Sequence, residues 1–473
     1  MWARLRVNGL CIALAAAGCL TLAWLGLYGY AWNDYENEAL PAVAALVHGH
    51  VGEFLRLAPA YGGSLIERAP FALVPGLWGG GDLAVYRMLA LPCLLLAGLL
   101  GVWLVSRMRA EDSPRLARAV ALALCVANPV MLPALELGHP EEILGACLVV
   151  AAVLFAGGGG GRSRPLLAGA ALGLAIANKE WALLAVGPVL LAVPPGLRLR
   201  CVAMAGAVAG AILAPLFLPS GRGGFVASTK AVAAVQGSPI FQPWQVWWFL
   251  GHHGPAVHGL FGNLKPGYRV APQWIGVIAR PLVVLCGVAI AAALWLRRRR
   301  LSETQALLAL TIVVLLRCML DTWDVSYYTV PFVVALLVWE VRARPQRPPV
   351  MSLLITATVW ANFEWMPGHV SADAWAAFFL CWSLPLLLWL ANGLATRRPR
   401  LDTRGTRAAQ AHAATVRPLG RRVSTSLPLF LMTNRSSMRA PSASGTYTPG
   451  SMVTTLPGSS GSSGALRDRR GAS

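Results

Sequence analysis

The chain has 473 residues, 56% of them hydrophobic and only 13% charged, and its mean hydropathy is +0.58. That balance excludes an ordinary soluble domain and a disordered chain, and it places the protein in a membrane. The net charge of +20 does not point to nucleic acid, because the stretch from Arg397 onward holds 13 Arg and 2 Asp and carries most of it.

Apolar runs fall at 7–30, 82–108, 115–135, 141–157, 165–178, 180–194, 201–218, 273–296, 304–320, 325–341, 350–366 and 374–396. They predict an all-α, polytopic transmembrane protein of about 12 spans, each near the roughly 20 residues that a membrane-crossing helix needs. The first run follows Arg4 and Arg6 as in a signal peptide, but it reaches Tyr30 and is expected to stay as an uncleaved anchor. Two loops are long, about 31–81 and 219–272. In the first, Tyr35 to His48 reads as an amphipathic helix with Leu40, Val43, Ala44 and Val47 on one side, lying on the outer membrane surface. In the second, Gln242 to Phe249 is Trp-rich, as interfacial anchors are.

Residues 165–194 do not fit one span. As a single helix they would run roughly 43 Å, against a hydrocarbon core of ~30 Å. Two short passes with a turn at Asn178-Lys179-Glu180 are expected instead. The nine cysteines lie in or at the ends of apolar runs without metal-ligand spacing, and packing is their expected role. Gly157 to Gly161 reads as a flexible turn. Residues 397–473, rich in Ser, Gly, Pro and Arg, are expected to form a disordered basic tail beside a 1–396 membrane domain. Nearly all basic residues are arginine, as in a GC-rich genome such as an actinobacterial one.

The loops alternate in charge. One series carries the arginines, from Arg4 and Arg6 through Arg107 and Arg109, Arg198 and Arg200, Arg297 to Arg300, and Arg342 to Arg347. The other carries most of the acids, among them Asp34, Glu36, Glu141, Glu142, Asp321 and Asp324. Basic loops stay cytoplasmic, so both termini are expected inside and the acids outside the cell membrane. Insertion does not require acids to gather there. An outward-facing active site is one reason for them to do so.

The sharpest cluster is Trp32-Asn33-Asp34-Tyr35-Glu36-Asn37-Glu38. A carboxylate here suits general-base removal of a hydroxyl proton, and Asp34 lies nearest the membrane. A structural reading competes: Asn33 caps the following helix with Glu36 three residues on. Lys179, His139, Arg68, Arg269, Arg280 and Arg317 supply cations or donors for a phosphate. For Lys179 the alternative is an ion pair with Glu180 or Glu142. For Arg317, inside an apolar run, it is a local pair with Asp321 four residues on. Glu36, Glu141, Glu142, Asp321, Asp324 and Tyr328 are candidate substrate ligands. His252, His253 and His258 have no neighbouring carboxylate, and no metal is expected.

Taken in order, several short motifs resemble glycosyltransferase family 87, of the C superfamily of membrane glycosyltransferases. They are an Asp just after the first span, a long first outer loop, Asn128-Pro129, Gly138-His139-Pro140-Glu141-Glu142, and Gly169 to Gly173 leading to Lys179. The likeness covers roughly residues 7–396. Ala69-Pro70 stands where the family has Tyr-Pro-Pro, and His139 where Gln is commoner. The resemblance implies a polyprenyl-phosphate sugar donor, mannose in most members, with the outer-loop Asp as base and no cofactor. Partners would be that donor, a glycolipid or glycan acceptor and membrane lipids, with no nucleic acid. A secondary transporter or a lipid-linked sugar flippase is the other class that such a layout serves, although the two halves show no repeat.

Overall fold

The computed structural model describes residues 9–28, 34–158, 163–218, 222–234, 241–254, 267–298 and 300–396. Asn33, His258, most of the glycine run and the tail lie outside them.

The described residues are almost entirely helical. In chain order the helices are α1 (Gly9–Tyr28), α2 (Leu40–Val47), α3 (Val51–Leu57), α4 (Gly62–Ala72), α5 (Asp82–Ala110), α6 (Arg115–Val126), α7 (Leu132–Glu136), α8 (Glu141–Gly157), α9 (Arg164–Asn178), α10 (Val186–Ala192), α11 (Arg198–Leu213), α12 (Arg222–Ala234), α13 (Gln273–Arg297), α14 (Glu303–Leu320), α15 (Val330–Ala343), α16 (Val350–Trp360) and α17 (Ala372–Thr396). Every apolar run read from the sequence has a helical counterpart. Among the described residues seven stretches are long and apolar enough to cross a membrane: Gly9–Gly26, Asp82–Ala110, Arg115–Glu136, Pro195–Phe217, Gln273–Arg297, Glu303–Leu320 and Ala372–Thr396. Their lipid-facing sides stay apolar because a bilayer offers no water to polar groups.

Local chemistry explains the breaks. Within 115–136, the Asn128 side chain donates to Leu124 O and accepts from Val130 N–H, both at 3.0 Å. It ends α6 and starts the 3-10 turn at Pro129–Met131. Ser302 and Gln305 form a reciprocal cap at the head of α14.

The stretch 164–192 reverses at Lys179. α9 begins beside Gly158, the end of α8, and Lys179 lies at Glu141 and Glu142, the head of α8. The chain then runs back through a 3-10 turn (Glu180–Ala185) and α10. Leu191 O accepts from Leu301 N–H at 2.8 Å, near where Gly157 meets Glu303. Lys179 can leave the helix because its own backbone is extended (φ −161°, ψ 139°).

The bundle therefore has two chemically different ends. At one, Arg342 binds Glu111 at 2.8 Å and Glu303 at 2.6 Å, and Arg300 donates to Ala192 O. At the other lie Asp34, Glu141, Lys179 and Asp321. There the first long loop folds into α2, α3 and α4, and α4 packs on α5 and α9. The Trp-rich segment is more than an interfacial anchor. Trp244 donates to Asp324 O, Trp247 to Leu320 O and Trp248 to Asp373 Oδ1, at 2.7–2.8 Å. Trp244 and Trp247 so close the end of α14, and Trp248 ties the segment to the head of α17, each indole N–H finding an acceptor. His252–His253 pairs with Arg269–Val270 in a two-stranded antiparallel ribbon.

Candidate active site

Three loops and three helix ends bring the charges together. Gly138 (φ +87°) leaves α7 in a left-handed turn, and a Cβ there would lie 2.6 Å from Tyr35 Cβ. The 35–39 turn thus sits directly on the Gly138-His139 corner. Tyr35 is fixed from the other side by the Tyr86 ring, 4.6 Å away, while the Tyr86 hydroxyl donates to Leu135 O.

From that corner runs a chain of charged contacts. Asp34 Oδ2 is 3.3 Å from His139 Nε2, and His139 Nδ1 is 2.7 Å from Glu141 Oε1. Glu141 also meets Lys179 Nζ at 3.3 Å and Arg68 Nη2 at 3.4 Å. Lys179 is 3.1 Å from Glu142, which holds Arg317 Nη2 at 3.4 Å. Asn178 joins this chain to α4: its Nδ2 donates to Glu141 O at 2.9 Å, and its Oδ1 accepts from Ser64 Oγ at 2.8 Å. Aromatic rings pack around the cations. Tyr61 and Tyr327 lie 5.3 and 5.6 Å from Lys179 Nζ, and Tyr328 and Trp181 lie 4.0 and 5.1 Å from the Arg317 guanidinium.

Exposure grades along the chain. Glu141 and Glu142 are fully buried, Lys179 nearly so, while the Asp34 side chain is 43% exposed. Burial on this scale costs free energy unless charges are paired and hydrogen-bonded. Here each buried carboxylate touches two or three cations or donors. Burial and the Lys179 charge push the His139 pKa down, but the Glu141 charge and the hydrogen bonds His139 donates to Asp34 and Glu141 outweigh them, and it lies above the ordinary histidine value. Asp324 is also buried and has no hydrogen-bond partner on either carboxylate oxygen. Burial pushes its pKa well above the usual carboxylate range, against the pull of Arg317, and so favours its neutral form. The buried core holds the cations Arg68, Lys179 and Arg317 against the carboxylates Glu141 and Glu142, so cations outnumber these carboxylates.

Not every candidate joins this cluster. Glu36 is exposed on the 35–39 turn. Arg280 pairs with Asp321 at 3.7 Å near the end of α14. Arg317 pairs with Glu142 in preference to the neighbouring Asp321. Asp321 has left the helix (ψ 125°) and its carboxylate accepts from Trp323 N–H. Arg269 is bound elsewhere, bidentate on Asp373 at 3.0 and 3.1 Å. Tyr328 reaches the site through its ring. Sequence reasoning missed Ser64, Asn178, Tyr61 and Tyr327. Asn178 had a signal: an amide at the end of an otherwise apolar helix, next to Lys179. The others show no sequence pattern.

Fold and site together define a multi-pass membrane protein with a charged, largely buried centre at one end of a helical bundle. The sequence model of glycosyltransferase family 87 matches residues 63–322. The chain belongs to that family and is a membrane glycosyltransferase. No curated protein matches it.

Proposed function

We propose that the protein transfers a hexose, mannose on the family resemblance, from a polyprenyl-phosphate donor to a glycolipid or glycan acceptor on the extracytoplasmic side. The acceptor oxygen attacks C1 of the donor sugar with inversion. The C1–O bond breaks and its electron pair leaves with the lipid phosphate. The acceptor's proton passes to Asp34. Among the described residues, Asp34 is the exposed end of the charged chain, where an acceptor hydroxyl can approach. Lys179, supported by Arg68 and Arg317, offsets the charge that develops on the phosphate. Glu36, also exposed on that turn, is placed to accept from acceptor hydroxyls, and Arg280 with Asp321 lies at the rim.

The observation that carries this reading is the contiguous pairing of an exposed carboxylate with a buried centre in which cations outnumber the paired carboxylates. A phosphate leaving group needs such a cation and no protonating acid. The test is Asp34→Asn in membranes supplied with radiolabelled polyprenyl-phosphate mannose. Loss of a general base is expected to cost about 10²–10⁴-fold in transfer rate. Full transfer by that variant removes Asp34 as the base.

A further inference from the structure

His139 is bound on both sides. A neutral imidazole has one N–H and one lone pair, so it satisfies only one of two flanking carboxylates; the imidazolium satisfies both. Here Asp34 faces Nε2 and Glu141 faces Nδ1. The ring is also fixed in orientation. Tyr327 packs on it at 4.3 Å, tilted by 34°, and Tyr61 meets it edge-on at 5.6 Å. The groups facing it from every packed element are Asp34 from the turn before α2, Glu141 from the head of α8 and Lys179 from the reversal after α9. Tyr61 before α4 and Tyr327 before α15 add phenol rings. By contrast, Asp34 has little else to hold it: its side chain makes no cap hydrogen bond to the helix it precedes.

We propose that His139 is the positioning residue for the proton-accepting carboxylate. As the imidazolium it fixes Oδ2 of Asp34, which leaves Oδ1 free for the acceptor's proton, and it ties Asp34 to the buried Glu141–Lys179 pair. This rests on the reading of Asp34 as base. It also takes His139 out of phosphate binding, because both ring nitrogens are already committed. When the imidazolium loses its proton, one carboxylate faces a lone pair, and the exposed Asp34 is the one free to move. The His139 pKa lies above the ordinary histidine value, so that loss comes as the pH rises through it. Protons balance without His139 changing state: the acceptor's proton goes to Asp34 and then to water.

The experiment measures hexose transfer by the full chain in membranes across about pH 5.5–9.5, a range that brackets imidazole titration. Wild type is expected to lose kcat with a single alkaline ionisation. His139→Gln keeps an N–H for Asp34 but does not titrate. It is expected to lose about tenfold to a hundredfold in kcat through looser geometry, with an unchanged donor KM and no alkaline decline. His139→Ala falls further. The inference is overturned if H139Q keeps the wild-type decline, matches the wild-type rate, or raises the donor KM at constant kcat, as a phosphate ligand would. If H139Q does not accumulate in membranes, the wild-type profile decides, since a flat alkaline side overturns the inference. An active Asp34→Asn overturns the base reading and this inference with it. An inactive Asp34→Asn with an unaltered H139Q profile overturns this inference alone.

Discussion

In the proposed function Lys179 combines two roles that are usually hard to separate, holding a fold together and meeting a substrate. Its ammonium bridges Glu141 and Glu142, so its removal first looks structural. Yet Glu141 keeps Arg68 and His139, and Glu142 keeps Arg317. No buried carboxylate is orphaned, so the large cost of an unpaired buried charge does not arise. Lys179→Ala is therefore expected to accumulate and to elute from a sizing column like wild type, while losing about 10²–10³-fold in kcat, the scale of one lost electrostatic donor. A collapse of expression with no separable rate effect would make Lys179 a structural residue. His139 gives a second test at this scale. Its pKa in the folded state is raised, so its ion pairs contribute fully below the unfolded value of about 6.5 and are lost as pH rises through the folded pKa. Stability of the detergent-solubilised protein to melting is expected to weaken as pH rises over that interval in wild type and to stay level in His139→Gln.

At the scale of elements, the site depends on how closely α4 and α9 approach. A Cβ on Gly63 would sit 2.1 Å from Ala177 O, and Cβ atoms on Gly169 and Gly173 would run into the backbone of α11 at Cys201 and Ala205. Small residues let membrane helices bring backbones together. Here they also bring Ser64 to Asn178 and so support the main chain of Glu141. Gly63→Ala is expected to lower the melting temperature and to cut transfer. Gly210→Ala, a helical glycine with open space at its Cβ, is expected to be neutral or slightly stabilising, by up to about 1 kcal/mol. Equal effects at the two positions would remove the close approach as the cause. Much of this level was legible in the sequence. The reversal at Lys179 followed from length alone, since one helix over 165–194 was too long for a bilayer. The helices themselves followed from continuous apolar runs. The partners did not. Arg317 and Glu142 are 175 residues apart, and the pairing depends on where α8 and α14 meet. The local alternative, Asp321, failed because helical i,i+4 geometry lapses once the backbone turns extended. Asn33 as a cap with Glu36 is one reading of the stretch at 33–38; Asn33 lies outside the described residues, and the Asp34 carboxylate meets His139, a partner distant in the chain that no local pattern names.

At the scale of the whole molecule, orientation and chemistry have to agree. The bundle separates its charges: Arg198, Arg300 and Arg342 gather at one end with Glu111 and Glu303, and Asp34, His139, Glu141 and Lys179 at the other. Basic loops are retained on the cytoplasmic side during insertion, and each Lys or Arg near the inner leaflet gains about 1 kcal/mol from anionic lipid. That argument orients the chain without reference to catalysis, and on it Asp34 is expected outside. Under the proposed function a lipid-phosphate donor would then present its sugar on the outer face, with Asp34 and Lys179 at the same end of the bundle. Two exposed positions test this, Glu36 near the site and Gln346 between α15 and α16 at the arginine-rich end. Glu36→Cys is expected to react with a membrane-impermeant maleimide in intact cells, and Gln346→Cys only after permeabilisation, with the parent chain as the blank for its own nine cysteines. Labelling of Gln346→Cys in intact cells, with Glu36→Cys protected, would invert the bundle. The same centre would then draw its sugar donor from the cytoplasmic leaflet, and the acceptor would have to be a cytoplasmic one.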